Sequence, residues 1–258
     1  MVCYLAISRV DYDKTNMAAG YDRGRSYSPE QLARWLEVVA DSLGSAPIRV
    51  ILDLGCGTGR YSAGLSSRLN AHVIGIEPSE KMLSEARRKA SSGVSLVRAS
   101  GESLPLANET VGMVFLSMVF HHFRDAGAAI RECRRVLRRD RVACLRAGTI
   151  EQIDNYAFVP FFPETRDLLE KSLNRRAVIE STFVAAGFEL RRHELVQSEA
   201  ARDWSDYAER LALRADSILA QLNDSHFQRG LEALREHAAT APVEPIVEPV
   251  DFFVFRAT

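Results

Sequence analysis

The fold is decided by the stretch Val50-Ile51-Leu52-Asp53-Leu54-Gly55-Cys56-Gly57-Thr58-Gly59-Arg60. An apolar run of strand length stops at three alternating glycines, and Tyr61, Leu65 and Leu69 then recur at helical spacing. This pattern predicts a strand, a tight turn and a helix. Glycines at such a junction allow positive φ angles and let a ligand lie against main-chain N–H groups at the helix N-terminus. We therefore expect a ligand-binding turn here.

The spacing of these glycines argues against a dinucleotide. The dinucleotide motif G-x-G-x-x-G needs a glycine at its sixth position, where this chain has Arg60, so the match to NAD is poor. Asp53 lies two residues before the first glycine, and Glu77 ends the next apolar run, Val73-Ile74-Gly75-Ile76. One carboxylate in each loop suits two different cationic or hydroxylic parts of a single ligand.

Four ordered motifs resemble those of the class I S-adenosylmethionine-dependent methyltransferases, in the small-molecule branch that includes the ubiquinone and menaquinone methyltransferases. The matching motifs are LDLGCGTG at 52–59, GIEPSEKM at 75–82, GESLP at 101–105 and SMVFHHF at 117–123. The resemblance implies an α/β fold. Its Rossmann-like sheet would have seven mostly parallel strands, helices on both faces, an antiparallel last strand and a helical insertion near the C-terminus.

The resemblance also implies the cofactor S-adenosylmethionine, with S-adenosylhomocysteine as product. Glu77 would accept hydrogen bonds from both ribose hydroxyls, and Asp53 would support the glycine turn and the methionine end. Relatives commonly have aspartate where this chain has Ser100, so a shorter hydroxyl and backbone N–H groups would hold the adenine. Glu102 also suits a loop-capping role. The full set of implied cofactor residues is Tyr21, Asp53, Gly55, Cys56, Gly57, Glu77, Pro78, Met82, Ser100, Gly101, Glu102 and Ser117.

Residues 1–28 are too polar for a core, and both a surface arm and a lid fit them. In related methyltransferases a tyrosine in this position folds over the cofactor, and Tyr21 is the matching residue. We expect Tyr21 to close on the methionine end and Arg23 or Arg25 to face the methyl acceptor.

His121 and His122 follow the apolar run Val111 to Phe120, which is typical of a central strand buried on both faces. Ligands of open α/β sheets gather beyond the carboxyl ends of the strands. Either histidine could therefore take a proton from the acceptor as a general base. The alternatives are a packed structural histidine and methyl transfer by positioning alone. Adjacent histidines without further ligands at suitable spacing make a poor metal site, so no metal is expected.

Five arginines follow Asp125 in a predicted helix, at positions 131, 134, 135, 138 and 139. They allow an RNA-binding interpretation, but a solvated helix face is favoured because no aromatic residues interleave and the net charge is −1. The chain then has Arg139-Asp140-Arg141 where relatives turn through proline and two glycines. A strand from Val142 to Leu145 should end at Arg146, either beside the acceptor pocket or salt-bridged beneath it.

Beyond residue 150 the family pattern fades. The aromatic loop Tyr156 to Pro163 is either a packed connector or an apolar acceptor wall, with Phe161 as the candidate contact. Helical patterns at 204–222 and 227–238 predict an insertion at about 200–240 that could cap the acceptor or form a dimer face. Phe252 to Phe255 reads as the closing strand.

The 258 residues, 47% of them hydrophobic, fit one α/β domain with additions. We expect a lid arm at 1–28, a cofactor-binding core at 29–150 and a C-terminal part at 151–258. Without C-x-x-C pairs, a signal peptide or an apolar stretch of membrane length, a cytoplasmic protein with no membrane partner is expected.

The predicted function is methyl transfer from S-adenosylmethionine to a small-molecule acceptor. The arginines Arg23, Arg25 and Arg146 suggest an anionic acceptor, and the aromatic loop suggests an aromatic one. The alternatives are an RNA methyltransferase that uses the arginine-rich helix and a protein that binds the cofactor without turnover. Nucleic acid is the less favoured partner because the overall charge is nearly neutral.

Overall fold

The computed structural model describes residues 12–14, 22–24, 27–44 and 46–258. Within them, seven strands form one mixed sheet in the order β3-β2-β1-β4-β5-β7-β6. The first five strands are parallel, and β7 runs antiparallel to both β5 and β6. The predicted fold class is confirmed. The strands are β1 (Val50–Leu54), β2 (His72–Glu77), β3 (Val94–Arg98), β4 (Val111–Ser117), β5 (Leu137–Ala147), β6 (Phe188–Ala201) and β7 (Ile246–Ala257).

Three helices begin after residues whose side chains favour helix capping. The Ser28, Ser79 and Asp125 side chains each accept a hydrogen bond from a backbone N–H of the first helical turn. None of the described helices is long and apolar enough to cross a bilayer. The helices are α1 (Pro29–Ala40), α2 (Ser62–Leu69), α3 (Glu80–Lys89), α4 (Ala126–Val136), α5 (Thr165–Ser172), α6 (Arg176–Ala185), α7 (Trp204–Ala212) and α8 (Asp224–Ala238).

The central strands are buried on both faces because successive side chains point to opposite sides of the sheet. Leu52 and Leu116 face the cluster that includes α4 residues, whereas Ile51 and Phe115 face the cluster that includes Trp35 of α1. The near-continuous apolar runs of β1 and β4 therefore contribute side chains to two hydrophobic clusters, one on each face of the sheet.

Strand β4 ends earlier than its apolar run predicts. Pairing stops at Ser117, and Met118 adopts a left-handed conformation with φ 54°. Such a φ is uncommon for a residue other than glycine. It turns the backbone away from the neighbouring strands, so the pairing of β4 ends. The next residues, Phe120–His122, form a turn of 3₁₀ helix, so the two histidines lie on this turn.

The strand predicted from Val142 to Leu145 is longer in the structure: β5 starts at Leu137 and includes Arg139-Asp140-Arg141, where relatives turn through proline and two glycines. The register instead jumps from Val111 opposite Leu137 to Met113 opposite Val142. Asp140 adopts φ 59° inside the extra residues. The chain therefore forms a bulge within one long strand, which accommodates residues that have no partner on β4.

The last two strands are also longer than predicted, and the helix predicted at 204–222 ends at Ala212. The first five residues of β7, 246–250, lie before the segment that pairs with β5 and pair with β6 alone. Pro249 lies in this part of β7, opposite Gln197, and a residue without an N–H is best tolerated where a strand has a neighbour on one side only. This two-stranded part of β6 and β7 connects the sheet to α7 and α8.

Asp251 is a fully buried carboxylate where β5, β6, β7 and α6 meet. It accepts a hydrogen bond from Thr149 Oγ1 at 2.7 Å. Arg176 Nε and His193 Nε2 each lie 2.6 Å from its Oδ1. A buried charge with this many partners fixes the positions of the segments that supply them.

The five arginines predicted on one helix are divided between two elements, because α4 ends at Val136 and Arg138 and Arg139 belong to β5. Two of the α4 arginines contact the rest of the fold. Arg135 contacts Glu132 and the carbonyls of Leu104 and Leu106, and Arg134 Nε donates to the Gly187 carbonyl at 3.2 Å. These contacts support the interpretation of this face as structural.

Candidate functional site

The glycine turn after β1 has the backbone that its sequence predicts. Gly55, Gly57 and Gly59 have φ angles of 70°, 55° and 73°. A Cβ on Gly55 would lie 2.3 Å from Val119 Cγ2, whereas a Cβ on Gly57 would meet nothing within 4 Å. Gly55 is therefore required for packing as well as for conformation, and the backbone at Gly57 faces open space.

Glu77 lies at the carboxyl end of β2, with only 8% of its surface exposed. Its two carboxylate oxygens accept hydrogen bonds from the backbone N–H groups of Gly57, at 3.1 Å, and Ser79, at 3.0 Å. Burial raises the pKa of Glu77 above its ordinary value, although both backbone bonds oppose the shift. A hydrogen bond thus connects the glycine turn directly to Glu77.

Asp53 is the second buried acid, and it accepts a hydrogen bond from Ser62 Oγ at 2.6 Å. Burial raises the pKa of Asp53 to about 6, Ser62 opposes this, and the charge of Glu77 adds to it. A buried carboxyl whose pKa is raised by burial and by a second buried carboxylate favours a cationic ligand, because a positive charge offsets both effects.

A cavity of about 200 Å³ opens from the turn at the carboxyl ends of β1, β4 and β5. Asp53, Ser117 and Arg146 line its sheet side. Tyr207 of α7 and Ile218 of the following segment line another wall. The cavity therefore lies between the sheet and the C-terminal helical insertion.

The structure brings one group of predicted site residues together in this cavity. These residues are Asp53, Gly55, Cys56, Gly57, Ser117, His121, His122 and Arg146. A second group of predicted cofactor residues lies outside the cavity lining. It consists of Glu77, Pro78, Met82, Ser100, Gly101 and Glu102.

Glu102 has the loop-capping role that the sequence left open. Its carboxylate accepts hydrogen bonds from Ser100 Oγ at 2.5 Å and from the Arg124 N–H at 2.7 Å. The Ser100 hydroxyl proton is therefore directed at Glu102 in this structure.

Phe161 is not a wall of the cavity. Its ring packs on Trp204 and His237, with centroids 5.7 and 5.3 Å away. Tyr156 and Phe158 of the same loop do line the cavity, and their rings stack 5.7 Å apart. A loop has no regular repeat like that of a helix or a strand, so its sequence does not show which aromatic side chains face the cavity.

Arg23 is exposed and does not line the cavity. Tyr21 and Arg25 lie outside the described residues.

Two aspartates fasten the N-terminal segment to the site. Asp13 Oδ1 accepts from Ser79 Oγ at 2.6 Å and from the Lys81 N–H at 3.1 Å, which lowers its pKa. Asp22 contacts Thr58 Oγ1 at 2.6 Å and Lys89 Nζ at 2.5 Å. Burial acts to raise the pKa of Asp22, but these two bonds outweigh it and hold the pKa below its ordinary value.

The same segment reaches the helical insertion. A Cβ on Gly24 would lie 2.6 Å from the Ala215 Cβ, so the two backbones are in close contact. The described residues 12–14 and 22–24 thus touch the glycine turn, α3 and the insertion. The sequence offered no signal for these long-range contacts, since no local pattern pairs Asp13 with Ser79.

His121 and His122 both line the cavity, and their ring centroids are 4.1 Å apart. The Tyr12 ring meets His122 edge-on at 5.9 Å. The left-handed Met118 turns the chain so that both rings reach the space above β4. No group of three His, Cys, Asp or Glu side chains arranged for a metal occurs among the described residues.

Sequence reasoning missed several aromatic and cationic residues of the cavity. Tyr12, Tyr27, Arg60 and Tyr207 all line it. Arg60 could have been found, because it directly follows the third glycine and must lie near any ligand of the turn. The tyrosines come from distant parts of the chain and meet only in the folded protein.

Comparison with known proteins agrees with this geometry. Residues 52–145 match the family model described as methyltransferase domain. Malonyl-(acyl-carrier protein) O-methyltransferase of Methylococcus capsulatus is 37% identical over 124 residues, which cover 47% of this chain and 44% of that protein. The chain therefore matches less than half the length of this curated relative.

Two solved structures share the fold. A putative methyltransferase from an antibiotic biosynthesis pathway of Anabaena variabilis superposes with a TM-score of 0.75 at 21% identity, covering 92% of this chain and 100% of that one. Geranyl diphosphate C-methyltransferase of Streptomyces coelicolor, in complex with S-adenosylhomocysteine, gives a TM-score of 0.58 at 15% identity, covering 88% and 80%. The matched family model, the 37% identity of the curated relative and the shared fold show that residues 52–145 form a methyltransferase domain.

Proposed function

We propose that this protein transfers a methyl group from S-adenosylmethionine to a small-molecule acceptor held in the cavity at the carboxyl end of the sheet. The observation that carries the proposal is the glycine turn, which lines a cavity together with the buried Asp53 and is hydrogen-bonded to a second buried acid, Glu77. The cofactor supplies a methyl group on a positively charged sulfur.

The residues present fit this cofactor. The open backbone at Gly57 leaves room for a ligand against the turn. Glu77 lies beside that backbone with its carboxylate already oriented by two N–H donors, which suits a pair of ribose hydroxyls. Asp53 suits the charged methionine end, because its raised pKa reflects a site that lacks positive charge. The loop at 100–102, next to β3, is our assignment for the adenine.

The acceptor would lie between the sheet and the insertion. Tyr207 and Ile218 line the cavity, which supports the role of acceptor cap over that of dimer face. The N-terminal segment, held by Asp13 and Asp22, would help to exclude water. Alignment of the acceptor atom about 3 Å from the methyl carbon, with competing water excluded, is the main contribution expected of these walls.

His121 and His122 are our candidates for holding the proton that an acceptor hydroxyl or ammonium loses. Both rings face the cavity at the end of β4. General-base assistance of this kind contributes about 10²- to 10⁴-fold in rate. Replacement of each histidine by glutamine, with the pH dependence of kcat measured, tests the role. An unchanged profile in both variants would favour transfer by positioning alone.

The decisive experiment incubates the purified chain with methyl-labelled cofactor and size-fractionated metabolites. We expect label in a low-molecular-weight fraction and none in RNA. Glu77→Gln should weaken S-adenosylhomocysteine binding about 10- to 100-fold, because charged hydrogen bonds to the ribose are lost. Glu80→Gln is the matched control, since Glu80 is an exposed acid paired with Arg87 on the next helix. Binding that withstands Glu77→Gln would refute the proposal, and binding without any labelled product would favour a protein that does not turn over.

A further inference from the structure

Arg146 is a buried cation at the end of β5, with 4% of its surface exposed. It lies opposite Ser117 of β4 and Phe252 of β7 and lines the cavity. Burying a guanidinium away from water is costly unless its surroundings compensate for the charge. Its neighbours therefore indicate what the cavity is built to bind.

Aromatic rings and hydrogen bonds fix the orientation of this guanidinium. Its central carbon lies 4.5 Å from the Trp35 ring centroid and 5.4 Å from that of Tyr27. Nη1 donates to Ser117 Oγ at 3.3 Å, and Nη2 donates to the Tyr27 hydroxyl. Trp35 is itself held, because its Nε1 donates to the buried Ser198 Oγ at 3.3 Å. A guanidinium held in one plane is pre-organised for a planar anion.

A second guanidinium shares the Tyr27 ring. The central carbon of Arg60 lies 5.0 Å from the Tyr27 centroid, so two cations flank one side chain at the cavity edge. The two guanidiniums that contact this ring carry like charges and repel one another, and a negatively charged group in the cavity would lower that repulsion. Arg60 follows the glycine turn and is close to the cofactor side, whereas Arg146 belongs to the sheet beneath the acceptor.

Other residues of the cavity limit the charge and shape of the anion. Glu199 and Glu248 also line the cavity, and they disfavour a ligand with several negative charges. The stacked rings of Tyr156 and Phe158 form a flat apolar wall. The glycine turn also lines this cavity of about 200 Å³, so the cofactor and the acceptor would share it, which favours a compact acceptor.

We propose that the methyl acceptor is a small monocarboxylic acid with a flat apolar body, and that Arg146 binds its carboxylate. This inference rests on the proposed function and adds the class of acceptor. Arg146 anchors the acceptor through the carboxylate and leaves the body of the molecule to face the histidines. Arginine suits this role because it can form two parallel hydrogen bonds to a carboxylate.

The test uses the full chain saturated with S-adenosylhomocysteine. Benzoate is compared with benzamide, and indole-3-acetate with indole-3-acetamide, which differ in charge but little in shape. Binding is followed by the fluorescence of Trp35 in a Trp204→Phe background, because the chain has only these two tryptophans. We expect each carboxylate to bind about tenfold more tightly than its amide.

Arg146→Gln should abolish this preference without changing the affinity for S-adenosylhomocysteine. Arg192→Gln is the matched control, since its guanidinium lies over Phe252, 5.8 Å from the ring centroid, but outside the cavity lining. If Arg146→Gln does not fold, Arg146→Lys decides, because lysine cannot form the two parallel bonds and should lower the preference about threefold or more.

Equal binding of carboxylates and amides by the unaltered protein would overturn the inference, as would a preference that survives Arg146→Gln and Arg146→Lys. In both cases Arg146 would only brace Trp35 and Tyr27. Failure to bind S-adenosylhomocysteine would instead overturn the proposed function, so the two failures are distinguishable.

Discussion

Cofactor affinity should fall in mild acid, because Asp53 must be ionised to favour a cation. Burial places the pKa of Asp53 at about 6 in the protein without ligand. With that pKa, Asp53 is ionised in roughly ten elevenths of the molecules at about pH 7 and in roughly one eleventh of them at about pH 5. A ligand that needs the carboxylate should therefore bind about tenfold less tightly at the lower pH.

The substitution Asp53→Asn tests whether Asp53 causes the pH dependence of cofactor binding. The amide keeps the size of the side chain and can still accept from Ser62 Oγ, which lies 2.6 Å from the carboxylate in the unaltered protein. We expect weaker binding of S-adenosylmethionine at about pH 7 and little dependence on pH, measured by titration calorimetry. Ser62→Ala should move the midpoint to higher pH, because the Ser62 hydrogen bond lowers the pKa of Asp53.

His121 and His122 line the same cavity as Asp53, so they need a control. His121→Gln and His122→Gln should keep most of the pH dependence, since they leave Asp53 intact. S-adenosylhomocysteine, whose sulfur is uncharged, should show a shallower dependence than S-adenosylmethionine. An Asp53→Asn variant with the same pH dependence as the unaltered protein would refute the reasoning.

Three further substitutions test the packing of the site. Gly55→Ala should lower the free energy of unfolding by about 2–4 kcal/mol, because the new Cβ requires an unfavourable φ and collides with Val119. Asp251→Asn should lower it by about 3–5 kcal/mol, since the buried carboxylate that pairs with Arg176 and His193 loses its charge. Asp22→Asn should raise the dissociation rate of S-adenosylhomocysteine about threefold, because the Lys89 ion pair over the turn is lost while Thr58 keeps an acceptor. Urea denaturation measures the first two, and stopped-flow displacement measures the third.

Controls for these substitutions come from less constrained positions. Gly44→Ala places its Cβ in open space and should change stability by less than about 0.5 kcal/mol. Glu37→Gln removes an exposed ion pair with Arg68 and should leave ligand dissociation unchanged. A Gly55→Ala protein as stable as Gly44→Ala, or an Asp22→Asn protein that releases ligand at the unaltered rate, would contradict these expectations.

The contacts that need only neighbouring residues were predictable. Ser28, Ser79 and Asp125 cap their helices, and such caps can be read from a sequence because capping depends on side-chain type and on the three residues that follow. The glycine turn formed as predicted for the same reason. Strand limits were less predictable: β4 ends where Met118 turns left-handed, and β5 absorbs its extra residues as a bulge. Those outcomes depend on the neighbouring strand, which a local pattern does not contain.

The sequence by itself determined the alternation of strands and helices, the glycine turn and the acids at the ends of β1 and β2, since these follow from residue spacing over short distances. Only the tertiary structure decided that Tyr27, Arg60 and Arg146 meet at one cavity, that Phe161 turns away from it, and that the insertion forms its wall. The physical reason is that such contacts are chosen by the packing of surfaces far apart in the chain. No residue's immediate neighbours record which distant surface it will face.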